Sequence, residues 1–181
     1  MFDATPDPPP LVQSAEFEAT LRSLGQRPRR LADGTLVLRR RVAGLPLALV
    51  SRARIDPNTL PWLLADAGLS RAMLLLNPET PVPLPGALPL VTPAHVAELD
   101  LTGDLHARLH QKWRNRLAHA RRHSLHVAHG AMPDRADHWL LAADAAQGRA
   151  RRYRGWPAAL TLAYARATPG AARLFTAQHQ G

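Results

Sequence analysis

The chain has 181 residues, enough for one domain with its own core, and its lack of cysteine excludes a disulfide framework, a thiolate metal site and a thiol nucleophile. The net charge of +9 arises entirely in residues 101–181, which hold thirteen basic and four acidic residues, whereas residues 1–100 hold ten of each. This basic half predicts a surface that attracts polyanions. Neither a signal peptide nor an apolar run of about 18 residues is evident, so we expect a cytoplasmic protein without a membrane span.

The first eighty residues alternate between helical and β-prone segments. A Pro- and Asp-rich tail over 1–12 is expected to be disordered. A helix is predicted over 14–25, with Ser14 as its N-cap and Gly25 as its stop. Three further segments are predicted in order: a β-hairpin over 35–52, a short helix over 56–69 and a buried strand over 72–77.

A proline-rich connector separates this part from the basic part of the chain. Six prolines fall within 77–93, which excludes a helix and predicts an extended segment. The elements predicted beyond it are a strand over 96–101, a helix over 104–124, a strand over 125–130, a helix over 134–155 interrupted near Gly148, a helix over 157–167 and a strand over 171–180. This alternation predicts a single α/β domain over 13–181, in which helices flank a mixed sheet.

The last predicted strand runs into a hairpin-like turn, "QHQG", where the sequence stops. We therefore expect the C-terminal strands of the domain to be missing and its sheet to have an unpaired edge. Such an edge favours pairing with a second copy, so a homodimer is one expected state.

The predicted helix over 104–124 has the most informative pattern in the chain. At 100° per residue, its leucines and Trp113 fall on one sector, which we expect to dock on the sheet. An adjacent stripe contains no acid, and like charges at i, i+4 spacing repel by about a few tenths of a kcal/mol. A solvated face and an anion-binding surface are both open as interpretations. The stripe consists of Arg108, Lys112, Asn115, Arg116, His119 and Arg122.

Other chemistry has weaker support in the sequence. The pairs His106/His110 and His119/His123 have the i, i+4 spacing of zinc ligands, but they lie on different faces of the predicted helix and no carboxylate is near. We therefore expect no metal site. No Gly-rich phosphate loop, dinucleotide fingerprint or Ser-His-Asp arrangement occurs, so the sequence assigns no catalytic residue.

The stretch "LHQKWRNRLAHARRHSLHV" resembles the K-x-R-x-x-[I/L]-x-x-A helix of FemAB-like transferases, which share the GNAT acyltransferase fold. The matching residues are Lys112, Arg114, Leu117 and Ala120. The preceding "VAELDLTGDLHARL" is similar to the family's strand leading into that helix, and "AAQGRARRYRGWPAALTLAYARA" is similar to its pair of helices. The final "GAARLFTAQHQG" resembles the strand and turn that open the second half of a GNAT domain. The resemblance covers roughly residues 70–181.

The resemblance implies an N-acyltransferase that moves an acetyl or aminoacyl group to an amine. Its donor would be acetyl-CoA or aminoacyl-tRNA, and both are polyanions that suit a basic stripe. Lys112, the only lysine of the chain, supplies a compact charge where the fork of an arginine would be too wide. The Gly-rich loop with which GNAT enzymes bind the CoA pyrophosphate does not occur in this sequence. The implied donor contacts are Arg108, Lys112, Arg114 and Arg116, and the residues implied to line a substrate pocket are Tyr153, Arg154 and Trp156.

Two other functions are open at this point. A non-catalytic nucleic-acid-binding module would use the 104–124 helix and the basic stretch "GRARRYR", and its binding would be strongly salt-dependent. A truncated transferase would be inactive. The "YRGW" stretch likewise has two interpretations, because an ordinary helix break with its aromatic side chains packed on the sheet would have the same sequence.

Overall fold

A computed structural model of the protein describes residues 8–92, 95–97, 99–153 and 155–179, which form a mixed α/β fold with one four-stranded and one two-stranded sheet. Two compact units result, Met1–Pro85 with Ala131–Ala172 and Gly86–Gly130 with Arg173–Gly181. Among the described residues, no helix combines the length and apolar character needed to cross a bilayer.

The helices are α1 (Ala15–Ser23), α2 (Leu60–Asp66), α3 (Leu105–Arg108), α4 (Gln111–Arg121), α5 (Trp139–Arg151) and α6 (Ala158–Ala167). The strands are β1 (Arg29–Arg30), β2 (Leu36–Val42), β3 (Leu45–Ala53), β4 (Met73–Pro78), β5 (Leu125–Ala131) and β6 (Arg173–His179).

The four-stranded sheet of the first unit has the order β1-β2-β3-β4. Strands β2 and β3 form the predicted antiparallel hairpin, which closes through Ala43 and Gly44, both with positive φ as a two-residue hairpin turn requires. Strand β4 runs parallel to β3. The predicted strand over 72–77 is thus confirmed, but it is only half-buried, because β4 pairs with a neighbour on one side alone in the described part of the chain.

The two faces of β3 pack against different helices. Ala48 and Val50 point into a core that includes Leu60 and Leu64 of α2, together with Val37 of β2. The predicted helix over 56–69 is therefore confirmed, although the helical residues are fewer. On the other face, Leu49 and Ser51 alternate with these core residues and line a small cavity beneath α1.

Helix α1 begins and ends as its sequence predicts. The Ser14 side chain accepts a hydrogen bond from the Phe17 N–H, and Gly25 has a φ of +72° after the last turn. A short 3-10 helix over Leu11–Gln13 precedes it, whereas residues 1–7 of the predicted tail lie outside the described residues. Helix α6 packs on α1, and each contributes two buried residues to the unit: Thr20, Leu21, Leu162 and Ala163.

Gln13 is a buried polar residue that joins this N-terminal segment to the sheet. Its amide nitrogen donates to the carbonyl oxygens of Leu36 at 3.3 Å and Ser51 at 2.6 Å, and its amide oxygen accepts from the Leu36 N–H at 2.7 Å. One side chain therefore satisfies backbone groups of both β2 and β3. Removing it would leave those groups buried without partners.

The second unit differs most from the sequence-based expectation. The predicted strand over 96–101 is wrong for its described residues, which have no regular structure, while Glu98 lies outside them. The predicted helix over 104–124 is also wrong as one element, because the chain is extended at Leu109 and His110 between α3 and α4. The strands over 125–130 and 171–180 are confirmed as β5 and β6, which pair with each other in the two-stranded sheet.

The two long helical segments near the C-terminus are confirmed with changed boundaries. Helix α5 begins at Trp139 rather than near residue 134, and it continues through Gly148 without the predicted interruption. It ends at Arg152, which adopts a left-handed conformation with φ of +57°. Helix α6 starts after Pro157, which is its N-cap and not a residue of its first turn.

We expect Gln13→Ala to lower the free energy of unfolding by about 2–3 kcal/mol, because it removes three hydrogen bonds from a buried site. Urea denaturation of the full chain measures this change. The control is Gln147→Ala on the exposed side of α5, where a change within about 0.5 kcal/mol is expected. Equal effects of the two substitutions would contradict the structural role of Gln13.

Glu18 generates a prediction about acid stability. Its carboxylate, 17% exposed, contacts Arg22 and Arg30 at 2.7 Å each. The hydrogen bond from Arg22 is the main cause that lowers the pKa of Glu18, and Arg30 adds to it against an opposing effect of burial. A lowered pKa in the folded state means stability that is present above about pH 4.3, the unfolded value, and lost as the pH falls further.

We therefore expect Glu18→Gln to make the loss of stability between about pH 5 and pH 3 shallower than in the parent chain. Arg30→Ala should flatten the same region, since it removes one of the two guanidinium partners. The measurement is the urea midpoint at a series of pH values. An unchanged acid profile in both variants would show that this cluster does not stabilise the fold.

Candidate functional site

The described residues contain two regions with the chemistry of a binding site, and each lies within one unit. The first is α3 and α4 in the second unit. The second is a groove in the first unit at the junction of α5 and α6.

Helix α4 concentrates positive charge without compensation. Its sequence "QKWRNRLAHAR" contains no acid, and none of its residues is buried. Four cationic side chains project from eleven residues, so their mutual repulsion raises the positive potential along the helix. We call Lys112, Arg114, Arg116 and Arg121 the α4 cations.

Lys112 and Arg116 have no acidic partner in the described ranges of the chain. Arg116 places its guanidinium 4.9 Å from the ring centroid of Trp113, a cation–π contact that leaves its N–H groups free. Lys112 lies in the first turn of α4, where its backbone N–H donates to Nδ1 of His110 at 3.3 Å. These two exposed cations are the best placed to bind an added anion.

Arg108 and Arg114 are held by neighbours within their own unit. Arg108 donates to the Thr102 carbonyl oxygen at 2.7 Å and contacts the carboxylate of Asp100 at 3.3 Å. The pKa of Asp100 is lowered first by the Thr102 backbone N–H and then by its hydroxyl, with Arg108 adding a smaller effect. Arg114 donates to Gln111 Oε1 at 2.8 Å and to the Ala107 carbonyl oxygen at 3.3 Å.

The break between α3 and α4 depends on His110. Its Nδ1 accepts from the second N–H of α4, as an N-cap does, so α4 starts anew at Gln111. As a result, Leu105 and Leu109 are not on the same helix as Trp113, and the continuous apolar sector expected from the sequence does not form. Trp113 is 56% exposed, so the expectation that it lies in the core is wrong.

A groove of about 500 Å³ in the first unit contains two of the residues implied to line a substrate pocket, Tyr153 and Trp156. Gly155 also lines the groove, and an added methyl group there would be 3.7 Å from the Tyr153 ring and 3.9 Å from the Asp144 carboxylate. Asp144, Arg149 and Arg152 supply the charges along the described lining. Arg154, the third implied residue, lies outside the described residues.

Gly148 allows the backbone after α5 to turn back close to the helix, at the edge of the groove. The Tyr153 N–H donates to the Gly148 carbonyl oxygen at 3.1 Å, which closes the helix. An added methyl group at position 148 would lie 3.2 Å from the Tyr153 carbonyl oxygen, closer than most such contacts. Gly148 therefore lies inside the helix, and its lack of a side chain leaves room for the Tyr153 backbone that follows the helix end.

Trp156 has a second contact that supports the packing interpretation of "YRGW". Its ring is 5.5 Å from that of Phe17 in α1, at an interplanar angle of 34°. It also borders the cavity of about 180 Å³ beneath α1. Trp156 thus borders both the groove and that cavity, and its ring contact is with α1.

The two histidine pairs are placed differently. His106 lies in α3 and His110 caps α4, so the break separates that pair. His119 and His123 come together at the end of α4, with their Nε2 atoms 3.1 Å apart. Across the part of the chain that is described, no group of three or more His, Cys, Asp or Glu residues is arranged to hold a metal ion.

The sequence did not identify Asp144, Arg149 and Arg152 as groove residues. The predicted interruption near Gly148 placed the helix end too early, whereas the ordered helix carries these side chains to the groove. The signal that indicates the true end is the cluster of arginines over 149–152, because cations are favoured in the last turn of a helix.

Comparisons with protein-family models, with curated proteins and with solved structures found no match to this chain. The fold and the two candidate regions are therefore interpreted from their own geometry.

We expect Arg152→Gly to raise the free energy of unfolding by about 0.5–1 kcal/mol, because a non-glycine residue pays a steric cost in the left-handed region. Arg151→Gly, one residue earlier and inside α5, should lower it by about 1 kcal/mol. Thermal or urea unfolding of the two variants measures the difference. The same direction of change in both variants would contradict the observed end of α5.

Proposed function

We propose that the protein is an N-acyltransferase with a GNAT-like fold, which binds a polyanionic acyl donor through the α4 cations and delivers the acyl group to an amine. The observation that carries this proposal is the acid-free α4, on which Lys112 and Arg116 are exposed and have no acidic partner among the residues that the structure describes. The resemblance of this helix to that of FemAB-like transferases selects acetyl-CoA or aminoacyl-tRNA as the donor.

The charge and exposure of α4 fit the phosphates of such a donor. Two cations without acidic partners in the first turns of a helix can bind phosphate oxygens without first breaking an ion pair, so no binding energy is used to displace a carboxylate. Lys112 is a point charge with three rotatable donors, which suits a diphosphate of variable orientation. Arg116 keeps its donors available because the Trp113 ring contacts only its face.

The groove of the first unit has side chains that suit an amine ligand. Asp144 is the acidic residue in its described lining, which it shares with Tyr153 and Trp156. A carboxylate with aromatic rings suits an ammonium group, through ion pairing and cation–π attraction. Arg149 and Arg152 would then contact an anionic part of the same ligand.

A second candidate function has its own observation in favour. Trp113 is exposed and carries Arg116 over its ring, an arrangement on which an unpaired nucleic-acid base can stack. A non-catalytic module that binds nucleic acid would use the same α4 cations. It would bind without preference for an acyl group, and its affinity would fall steeply with salt.

We expect Lys112→Ala to weaken acetyl-CoA or aminoacyl-tRNA binding by about tenfold, which corresponds to the loss of one charge-assisted contact of roughly 1.4 kcal/mol. Tryptophan fluorescence at constant ionic strength measures the affinity. The matched control is Arg27→Ala, an exposed cation of the first unit, which should leave the affinity within about twofold.

The two candidate functions differ in whether the affinity for the ligand depends on its acyl group. Tight binding of uncharged tRNA or duplex DNA, with no binding of acetyl-CoA and no preference for aminoacylated tRNA, would reject the acyltransferase and favour the nucleic-acid module. Equal losses in Lys112→Ala and Arg27→Ala would show that net charge alone governs binding and that α4 is not the site.

A further inference from the structure

We propose that His119 and His123 form a binding site for a divalent transition metal at the C-terminal end of α4. The sequence led us to expect no metal, because the two pairs of histidines were placed on different faces of one long helix. The break at His110 separates His106 from His110, whereas His119 and His123 stay together at the end of α4. The proposal is independent of the acyltransferase function.

The distance between the two imidazoles fits bidentate binding. Their Nε2 atoms lie 3.1 Å apart, and each ring is exposed. A metal about 2.0–2.1 Å from both nitrogens would see them at an angle of about 100°, between the square and tetrahedral values. The rings are inclined by 69° with centroids 4.7 Å apart, so they meet edge to face and are not stacked.

The backbone holds the two histidines at this spacing. His119 lies in the last turn of α4, and the His123 N–H donates to the Ala120 carbonyl oxygen at 3.1 Å, which continues the helical turn past Arg121. Four residues apart in a helical turn, side chains lie one above the other. The negative end of the helix dipole also favours a cation at this terminus.

The chemistry of the pair selects the class of metal. Neutral imidazole nitrogens suit Zn²⁺, Ni²⁺ and Cu²⁺ rather than Ca²⁺ or Mg²⁺, which require oxygen ligands. The ring of His179 has its centroid 6.2 Å from that of His123, but among the described residues no group of three ligands forms, so the remaining positions would be filled by water. We therefore expect Cu²⁺ to bind more tightly than Zn²⁺, and Mg²⁺ not to bind at all, in the general order of divalent affinities. The adjacent Arg121 and Arg122 oppose the added charge and weaken the site.

The test is calorimetric titration of the full-length, tag-free chain with ZnCl₂ and CuCl₂. We expect one site, and a loss of affinity of about tenfold or more in His119→Ala, because a single remaining imidazole lacks the advantage of two linked ligands. His119→Ala/His123→Ala should show no site. Far-UV circular dichroism verifies that both variants keep the fold, as expected for exposed side chains.

The matched control removes two exposed histidines elsewhere in the same unit, His106 and His126. His106→Ala/His126→Ala should bind Zn²⁺ and Cu²⁺ with the parent affinity. Binding that survives in His119→Ala/His123→Ala, or that is lost equally in the control, would overturn the assignment. Absence of binding by the parent chain would also overturn it, and the 3.1 Å contact would then be a hydrogen bond between two imidazoles.

Discussion

The pairing of β3 on both of its edges is the constraint on which the first unit depends. Its antiparallel partner β2 and its parallel partner β4 fix its register, and the register decides which side chains meet α2 and which meet α1. A slip of one residue would move Ala48 and Val50 out of the core and replace them with Leu49 and Ser51. Gln13 opposes such a slip, because its amide bonds to backbone groups of both β2 and β3. The packing of α6 on α1, and with it one wall of the groove at Trp156, follows from that arrangement.

A different constraint governs the second unit, where charge rather than burial dominates. Helix α4 buries no residue and has no acid, so neither core packing nor internal ion pairs explain its composition. Repulsion between these cations lowers the stability of the helix. A bound anion would offset this repulsion, so such a cluster is expected where an anionic ligand binds. Arg108 and Arg114 are held by neighbours, whereas Lys112 and Arg116 have no acidic partner among the described residues, so these four cations divide into positioned and available charges. That division underlies the proposed binding of a polyanionic donor.

The sequence predicted most elements correctly where the signals are local. The hairpin depends on the Ala43–Gly44 turn and α1 on Ser14, and both are confirmed. The break at His110 was missed because the apolar spacing continues across it and gives no sign that a side chain caps a new helix there. The continuity of α5 was missed because Gly148 predicts a break in the helix. A glycine inside a helix costs only about 1 kcal/mol, which the other residues of the completed helix offset. For the candidate site, the sequence proposed Lys112, Arg114 and Arg116 of α4 and the aromatic residues Tyr153 and Trp156, whereas the exposure of Trp113 and the presence of Asp144 in the groove required the fold.

The central claim, that α4 binds the polyanionic acyl donor, is tested most directly by amide chemical shifts. The uniformly ¹⁵N-labelled full chain would be titrated with acetyl-CoA and, separately, with aminoacyl-tRNA, at constant ionic strength. The account predicts saturable shifts at the backbone amides of residues 110–117 with at least one of the two donors, at concentrations where a simple salt of equal charge causes none. Shifts confined to other segments with both donors, or shifts at α4 that the salt reproduces, would contradict it.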